Sequence, residues 1–348
     1  MKWRKKLPQL WIGRFKLTKI IKINPLNIDM ELLSQAADVI KHGGLVAFPT
    51  ETVYGLGADT FNPDAVANIF RAKKRPMDNP LISHIAEIGD IERFAREIPD
   101  SAIKLANEFW GGPLTMILKK KKGIPDEVTA GLDTIAVRLP SHSIANALIK
   151  LSGTAIAAPS ANLSGSPSPT TAQHCIADLD GRVDMIIDGG SSMIGIESTV
   201  VDLSGEVPVV LRPGGITPDD MRNIIGEVIY GGEAEGAPKC PGMKYTHYSP
   251  DADVTVLEDI ASFEKYCESG KRICVISKNA SRYSFNADIV YDAGETDTEY
   301  AARLFYLLRK ADEEGADTVF AELPENSGIG IALRNRLFKS AGGKVILK

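Results

Sequence analysis

The feature of this sequence that most limits its fold is a change of pattern near residue 226. Between about residues 25 and 225, apolar runs and amphipathic stretches follow one another without strict strand–helix alternation, which predicts an α/β domain with a mixed, twisted sheet. Residues 226–250 are rich in glycine and proline, which indicates a linker. From 251 to 348 strands and helices alternate regularly, which predicts a small Rossmann-like domain with a parallel sheet.

The predicted linker contains more than spacer residues. It includes Lys244, His247 and three tyrosines, whereas a passive spacer is typically rich in glycine and serine, or in proline. We therefore predict that the linker also reaches a ligand site and serves as a lid.

The first 24 residues form a basic extension, because all eight charged side chains before Asp29 are lysine or arginine. Pro8, Gly13 and Lys16 interrupt the apolar run that a signal peptide would need. We expect a disordered tail or the product of an upstream start codon. An arm that contacts RNA or a membrane is the alternative.

Composition narrows the class of protein. A net charge of −5 argues against a nucleic-acid-binding surface that covers the whole chain, although a local basic patch can still bind one. The four cysteines (Cys175, Cys240, Cys267 and Cys274) form no C-x-x-C pair, which argues against a zinc site or a disulfide framework. Since no apolar run approaches the roughly 20 residues of a bilayer span, we expect a cytoplasmic protein without membrane association.

The common catalytic signatures are absent from the sequence. It has no P-loop, no complete dinucleotide-binding glycine motif, no G-x-S-x-G elbow and no H-E-x-x-H helix. Polar segments at the ends of predicted strands take their place. Pro49–Gly57 follows the predicted strand Leu45–Phe48 and combines three hydroxyls with two glycines, which would bring the backbone close to a ligand. A strand-to-helix turn with capping threonines explains the same segment equally well.

A cluster of four cations, residues 71–75, lies at the end of a predicted helix that begins at Asn62 and must stop before Pro76. Such a cluster suits a polyphosphate, because arginine binds two phosphate oxygens at once and lysine acts as a point charge. Cations are also favoured at a helix C-terminus without any ligand. That second explanation is weakest for Arg75, which lies beyond the helix.

Single basic residues mark other strands. Arg138 alternates with apolar residues in the predicted strand Thr134–Arg138, so it needs an anionic partner: a substrate carboxylate or a buried ion pair. His84 lies in an apolar strand, where a histidine is more often structural than functional. Arg212 precedes a rigid Pro-Gly turn.

Hydroxyl and amide groups complete the candidates. Ala158–Gly165, with Ser168 close behind, is either a neutral hydrogen-bonding loop or a simple turn; Glu197–Asp202 is a further polar segment. Together with the cations, these groups suit a phosphorylated ligand and a small carboxylate. Because no covalent nucleophile is evident, catalysis by positioning and charge neutralisation fits best, as in phosphoryl or nucleotidyl transfer.

These segments resemble, in order, those of the threonylcarbamoyl-AMP synthase family in its long form, which joins a YrdC-like domain to a smaller C-terminal domain. The resemblance covers about residues 25–348, and the set of motifs is specific although no single one is. The matching motifs are PTETVYGLGAD (49–59), KKRP (73–76) with NPLISHI (79–85), TIAVRLP (134–140), APSANLSGSPSPT (158–170), ESTVVDL (197–203), LRPGGIT (211–217) and PGMKYTHYSP (241–250).

The resemblance implies a YrdC-like catalytic domain at 25–225 and a nucleotidyltransferase that converts L-threonine, bicarbonate (or CO2) and ATP into threonylcarbamoyl-AMP and pyrophosphate. The product would pass to the threonylcarbamoyl transferase machinery that makes N6-threonylcarbamoyladenosine in tRNA. Lys73 and Arg75 would act in catalysis, and Mg2+ would enter with ATP, without dedicated protein ligands. The implied threonine contacts are Thr52, His84, Arg138 and Ser198. The implied ATP contacts are Lys73, Arg75, Asn79, Thr134, Ser160, Ser168, Arg212, Lys244 and His247.

Two other functions stay open. A YrdC-like domain can present a concave basic surface to double-stranded RNA or tRNA, but the net charge and the small-ligand character of the loops count against this as the main role. A carbamoyl-transfer component of hydrogenase maturation also uses such a domain. That machinery adds acylphosphatase and zinc-finger-like regions, and the missing C-x-x-C pairs argue against it.

Overall fold

The structure, a computed structural model, describes residues 17–231 and 248–347. Within these ranges the strands form an 11-stranded sheet of mixed direction and a 5-stranded sheet that is parallel throughout. Both predicted sheet types are confirmed.

The larger sheet belongs to the first domain, and its strands lie in the order β1-β8-β2-β3-β7-β4-β6-β5-β9-β10-β11. These strands are β1 (Lys19–Lys22), β2 (Val46–Phe48), β3 (Gly55–Asp59), β4 (Ile82–His84), β5 (Leu114–Lys119), β6 (Thr134–Arg138), β7 (Ile156–Ala157), β8 (Met185–Asp188), β9 (Thr199–Asp202), β10 (Val209–Arg212) and β11 (Ile229–Tyr230). The helices are α1 (Met30–Lys41), α2 (Pro63–Lys73), α3 (Asp100–Phe109), α4 (Asp126–Thr129), α5 (Ser143–Ser152), α6 (Ala172–Leu179) and α7 (Pro218–Ile225), with a 3-10 helix at Ile88–Arg93.

The smaller sheet belongs to the C-terminal domain and has the order β14-β13-β15-β12-β16. Its strands are β12 (Asp253–Leu257), β13 (Ile273–Ser277), β14 (Ile289–Asp292), β15 (Thr318–Glu322) and β16 (Val345–Ile346). The helices are α8 (Asp297–Glu313) and α9 (Gly330–Ser340), with 3-10 helices at Ile260–Tyr266 and Ala280–Arg282.

The first domain begins before residue 25. β1 pairs in parallel with β8. Ile21 and Ile23 are buried, whereas Ile20 is half exposed and Lys22 is exposed. This alternation is that of an edge strand with one buried face, so the prediction of a disordered tail is wrong for this part of the basic extension. Similarly, β11 lies inside the segment predicted as linker and pairs with β10.

Local sequence sets both ends of α2. The side chain of Asn62 accepts a hydrogen bond from the backbone N–H of Ala65 (3.1 Å), and Pro63 occupies the first turn. The helix stops because Lys74 adopts a left-handed conformation (φ 53°) and Pro76 follows. Lys73 and Arg75 are therefore fixed on either side of a sharp helix end.

The two domains share one apolar cluster. Val53 and Ile196 of the first domain are buried in it together with side chains from α8 and α9. Tyr248, where the described chain resumes, stacks on Phe305 with the ring centroids 5.2 Å apart. The C-terminal domain thus packs directly behind the turn that holds Val53.

Close packing between the domains selects glycine at position 195. We expect Gly195→Ala to cost about 3 kcal/mol of unfolding free energy, because φ is +76° and a Cβ there would lie 2.5 Å from the carbonyl oxygen of Ala301 in α8. Gly190→Ala is the matched control: φ is +87°, but no neighbouring heavy atom of the described residues lies within 4 Å of its Cβ. It should cost only about 1–2 kcal/mol in thermal unfolding. Equal losses would show that packing against α8 is not the reason for the glycine.

Candidate active site

A cleft in the first domain brings together most of the predicted site residues. The predicted residues that line it are Thr52, Lys73, Arg75, His84, Arg138, Ser160, Ser168, Ser198 and Arg212. Glu197 and Tyr248, which were not predicted as ligand contacts, also line it. Most of these side chains lie at the ends of strands, so the fold gathers segments that are far apart in the sequence.

The turn between β2 and β3 carries Thr52, and it is held rigidly. The hydroxyl of Thr50 lies 2.9 Å from that of Thr52 and donates to the carbonyl oxygen of Val53 (2.6 Å). Thr52 in turn accepts a hydrogen bond from Nη1 of Arg138 at 3.0 Å, and both side chains are buried. The segment is therefore a strand-to-strand turn and not the strand-to-helix turn considered from the sequence.

Arg138 has an anionic partner that sequence analysis missed. Its Nη2 lies 2.5 Å from Oε1 of Glu51, and both side chains are buried. Burial raises the pKa of the Glu51 carboxyl, but the Arg138 guanidinium outweighs this and lowers it below its ordinary value. Nε of Arg138 and Oε2 of Glu51 have no hydrogen-bond partner among the described residues. The buried ion pair thus exists, and a role of Arg138 toward a substrate carboxylate stays a prediction.

His84 lies beside Arg138, because β4 and β6 pair in parallel with these two residues in register. Burial, and then the Arg138 guanidinium, lower the pKa of His84 to about 3, so the imidazole is neutral at pH 7. Its Nδ1 lies 3.3 Å from the carbonyl oxygen of Ile156. With the proton on Nδ1, Nε2 is an acceptor, which suits an ammonium or hydroxyl group of a ligand and not a carboxylate.

Ser198 and Arg212 lie together at the adjoining ends of β9 and β10. The hydroxyl of Ser198 lies 2.8 Å from that of Thr115 and accepts a hydrogen bond from Nη2 of Arg212 at 3.1 Å. Nε of Arg212 donates to the carbonyl oxygen of Ser198 at 3.0 Å. A predicted threonine contact and a predicted ATP contact therefore touch each other in the cleft.

Lys73 is a buried cation surrounded by neutral oxygens. Its Nζ donates to the carbonyl oxygens of Ser160 and Asn162 and lies 3.3 Å from Oδ1 of Asn162. Burial, and then the charge of Arg75, hold the pKa of Lys73 well below its ordinary value. In the described part of the chain no carboxylate forms a salt bridge with it, and Asp178 pairs with Arg309 instead. Such an amine has an electrostatic need for an anion, which a polyphosphate would meet.

Two predicted contacts among the described residues do not line the cleft, and two more are outside the described ranges. Thr134 begins β6, so it lies about 13 Å along the strand from Arg138 and does not line the cleft. Asn79 is buried beside the cleft, where its carbonyl oxygen lies 3.4 Å from Nη2 of Arg75. Lys244 and His247 lie outside the described residues.

The cleft offers cations and hydroxyls in place of metal ligands. Among the residues that the structure describes, no group of three or more His, Cys, Asp or Glu side chains is placed to hold a metal ion. None of the helices in these ranges combines the length and apolar character that a membrane span requires.

Comparisons with known proteins cover both domains. The family described as "Telomere recombination" matches residues 38–214, and the one described as "Threonylcarbamoyl-AMP synthase, C-terminal domain" matches residues 216–342. A threonylcarbamoyl-AMP synthase from Pyrococcus abyssi is 48% identical over 325 residues, which are 89% of this chain and 94% of the relative. One from Bacillus subtilis is 45% identical over 90% of this chain and 94% of the relative. The crystal structure of P. abyssi Sua5 complexed with L-threonine has a TM-score of 0.89 at 46% identity, covering 95% of this chain and 100% of that one.

Proposed function

The chain belongs to the threonylcarbamoyl-AMP synthase family, and from this premise we propose that its cleft makes threonylcarbamoyl-AMP and pyrophosphate from L-threonine, bicarbonate (or CO2) and ATP. The observation that carries the proposal is that one cleft gathers two sets of side chains with different chemistry. One set is a neutral imidazole, hydroxyls and the guanidinium of Arg138; the other is Lys73, Arg75 and Arg212. The relative crystallised with L-threonine supports threonine as a substrate.

The first set of side chains is complementary to an amino acid. Arg138 would hold the carboxylate of threonine through N–H groups that Glu51 and Thr52 do not use; Nε has no hydrogen-bond partner among the described residues. His84, neutral and with Nε2 as an acceptor, would take a hydrogen bond from the ammonium or hydroxyl group. Thr52 and Ser198 would supply further hydroxyls.

The second set, Lys73, Arg75 and Arg212, would offset the charge of the phosphates. The amine of threonine adds to CO2 and loses a proton, which gives a carbamate. An oxygen of the carbamate then attacks the α-phosphorus of ATP, the bond to the β-phosphate oxygen breaks, and pyrophosphate leaves. The protein contributes position and positive charge, because this route forms no covalent bond between the substrate and a side chain.

Mg2+ fits this site as part of the nucleotide. The cleft cations would repel a bare ion, and the carboxylate of Glu197 is already engaged by Ser168 and Arg336. Phosphate oxygens and water are the ligands that Mg2+ prefers. When bound to ATP, the ion would neutralise part of the phosphate charge.

The proposal predicts that pyrophosphate release from ATP requires both L-threonine and bicarbonate. The enzyme should be incubated with all three, and with each omitted in turn, while pyrophosphate is quantified and the product is identified by mass spectrometry. The expected product has the mass of threonine plus CO2 joined to AMP. Release that continues unchanged without threonine would contradict the proposal. Tight binding of double-stranded RNA without any pyrophosphate release would favour the RNA-binding alternative.

A further inference from the structure

Arg336 belongs to α9 of the C-terminal domain, yet its guanidinium is completely buried against the cleft wall of the first domain. Its Nε lies 2.7 Å from Oε2 of Glu197, and its Nη2 donates to the carbonyl oxygen of Pro213 at 2.9 Å. The guanidinium also lies over the ring of Tyr248, 5.6 Å from the centroid. One side chain therefore ties the C-terminal domain to two segments that border the cleft.

The second oxygen of Glu197 faces a predicted ATP contact. Oε1 accepts a hydrogen bond from the hydroxyl of Ser168 at 2.5 Å, and Ser168 is completely buried. Both Glu197 and Ser168 line the cleft, whereas Arg336 does not. Arg336 therefore contacts the cleft only indirectly, through Glu197.

The state of the Glu197 carboxyl decides what Ser168 offers to a ligand. Burial raises the pKa of this carboxyl, but the charges of Arg336 and Arg212 outweigh it and lower the pKa below its ordinary value. An ionised carboxylate only accepts hydrogen bonds, and a serine hydroxyl has a single proton to donate. Since that proton is given to Glu197, Oγ of Ser168 can only accept a further hydrogen bond.

We propose that Arg336 is a positioning residue of the proposed reaction: through Glu197 it fixes the Ser168 hydroxyl as an acceptor for a hydrogen-bond donor of ATP. That donor is an amino group of the base or a hydroxyl of the ribose, because a phosphate oxygen without a proton has nothing to donate. The inference rests on the proposed function and assigns Ser168 to the nucleoside, while the cleft cations serve the phosphates.

The C-terminal domain also fixes the backbone next to Ser168. Arg309 of α8 donates from Nη2 to the carbonyl oxygen of Pro167 at 2.6 Å, and its guanidinium pairs with Asp178. The backbone N–H of Ser249 donates to the carbonyl oxygen of Gly165 at 2.9 Å. The C-terminal domain therefore holds the backbone beside Ser168. The Ser168 hydroxyl itself is oriented by its hydrogen bond to Glu197.

The test compares Ser168→Ala, Arg336→Gln and Arg336→Lys with Arg334→Gln. Arg334 lies on the same helix, but its Nη1 donates to the carbonyl oxygen of Pro324 and it does not line the cleft. Ser168→Ala and Arg336→Gln should raise KM for ATP about 3- to 10-fold, the worth of one hydrogen bond, and leave KM for threonine nearly unchanged. Arg336→Lys should recover part of the loss, and Arg334→Gln should match the wild type.

A pH series separates positioning from mere support. In Arg336→Gln the Glu197 carboxyl loses the larger of the two positive charges that, among the described residues, lower its pKa and keeps Arg212, so its pKa rises. As pH falls through that raised pKa, the carboxyl becomes protonated and no longer takes the Ser168 proton. KM for ATP should therefore rise with falling pH in this variant, over a range where the wild type is flat. A variant with a lower melting temperature but a flat profile would overturn the proposal.

Binding of ATP analogues tests the role of Ser168 even if Arg336→Gln does not fold. Binding of inosine triphosphate, 2′-deoxy-ATP and 3′-deoxy-ATP should be measured by calorimetry for the wild type and Ser168→Ala. The wild type should discriminate against the analogue that lacks the donor by about 3- to 10-fold, and Ser168→Ala should lose that discrimination. Unchanged discrimination in Ser168→Ala overturns the proposal. Because binding is measured without turnover, a wild type that makes no product would refute the proposed function alone.

Discussion

Lys73→Met is expected to lower kcat/KM for ATP by about a thousandfold, whereas Lys74→Met is expected to leave it within about twofold. Both changes remove one lysine charge at the end of α2. Lys73 is buried in the cleft among carbonyl oxygens, while Lys74 is exposed to solvent. Only Lys73 is therefore placed to stabilise charge on the phosphates as pyrophosphate leaves. Equal losses in the two variants would show that the charge of the helix end matters, and not a contact in the cleft.

A second measurement tests the protonation of the Lys73 amine directly. Because its pKa is held below the ordinary value in the free protein, bound phosphate should raise that pKa and draw a proton onto the amine. ATP affinity should therefore fall as pH rises above the pKa of the free protein. Calorimetry in two buffers of different ionisation enthalpy, repeated over a rising pH series, should detect proton uptake for the wild type once the pH exceeds the pKa of free Lys73, and less for Lys73→Met. Identical uptake in both proteins would mean that another group takes the proton.

The sequence alone predicts α2 and the placement of its cations well. Asn62 and Pro63 are local start signals, and Pro76 is a local stop, so no distant contact is needed to locate Lys73 and Arg75 at the helix end. The same holds for Arg138, since an arginine that alternates with apolar residues must find a polar environment on one face of its strand.

β3 is harder to predict because its residues do not favour a strand. Gly55–Asp59 contains two glycines and no β-branched side chain, so its composition indicates a turn. Distant packing explains the glycine at position 57: a Cβ there would lie 2.6 Å from Ile156 and 2.8 Å from Phe48. At least this glycine therefore serves the core, and not the close approach of a ligand that the sequence suggested.

Ion-pair partners that are distant in the sequence also cannot be predicted from a local motif. Glu51 and Arg138 are 87 residues apart, and Glu197 and Arg336 are 139 apart. Each motif shows a charge that needs a partner, but the sequence does not say which opposite charge the fold brings to it. Thr134 shows the converse, because it begins the strand that ends at Arg138 and does not line the cleft in the described structure, so its contact with ATP stays a prediction.

A double variant of Glu51 and Arg138 tests whether Arg138 binds the substrate or only neutralises Glu51. Arg138→Met should raise KM for L-threonine about 100-fold and KM for ATP less than about 3-fold, if the guanidinium binds the threonine carboxylate. It should also cost about 3–5 kcal/mol of stability, because Glu51 is left as an unpaired buried charge. The double variant Glu51→Gln/Arg138→Met removes both charges and should regain most of that stability.

Kinetics of the double variant then separate the two roles of Arg138. If the guanidinium binds substrate, KM for L-threonine stays about 100-fold raised even though the protein is stable again. If Arg138 only neutralises Glu51, relief of the buried charge restores KM and stability together. We expect the first result, because Nε of Arg138 is buried without a partner in the described structure, whereas Nη1 and Nη2 donate to Thr52 and Glu51. An N–H group that the protein leaves without an acceptor can donate a charge-assisted hydrogen bond to a substrate carboxylate.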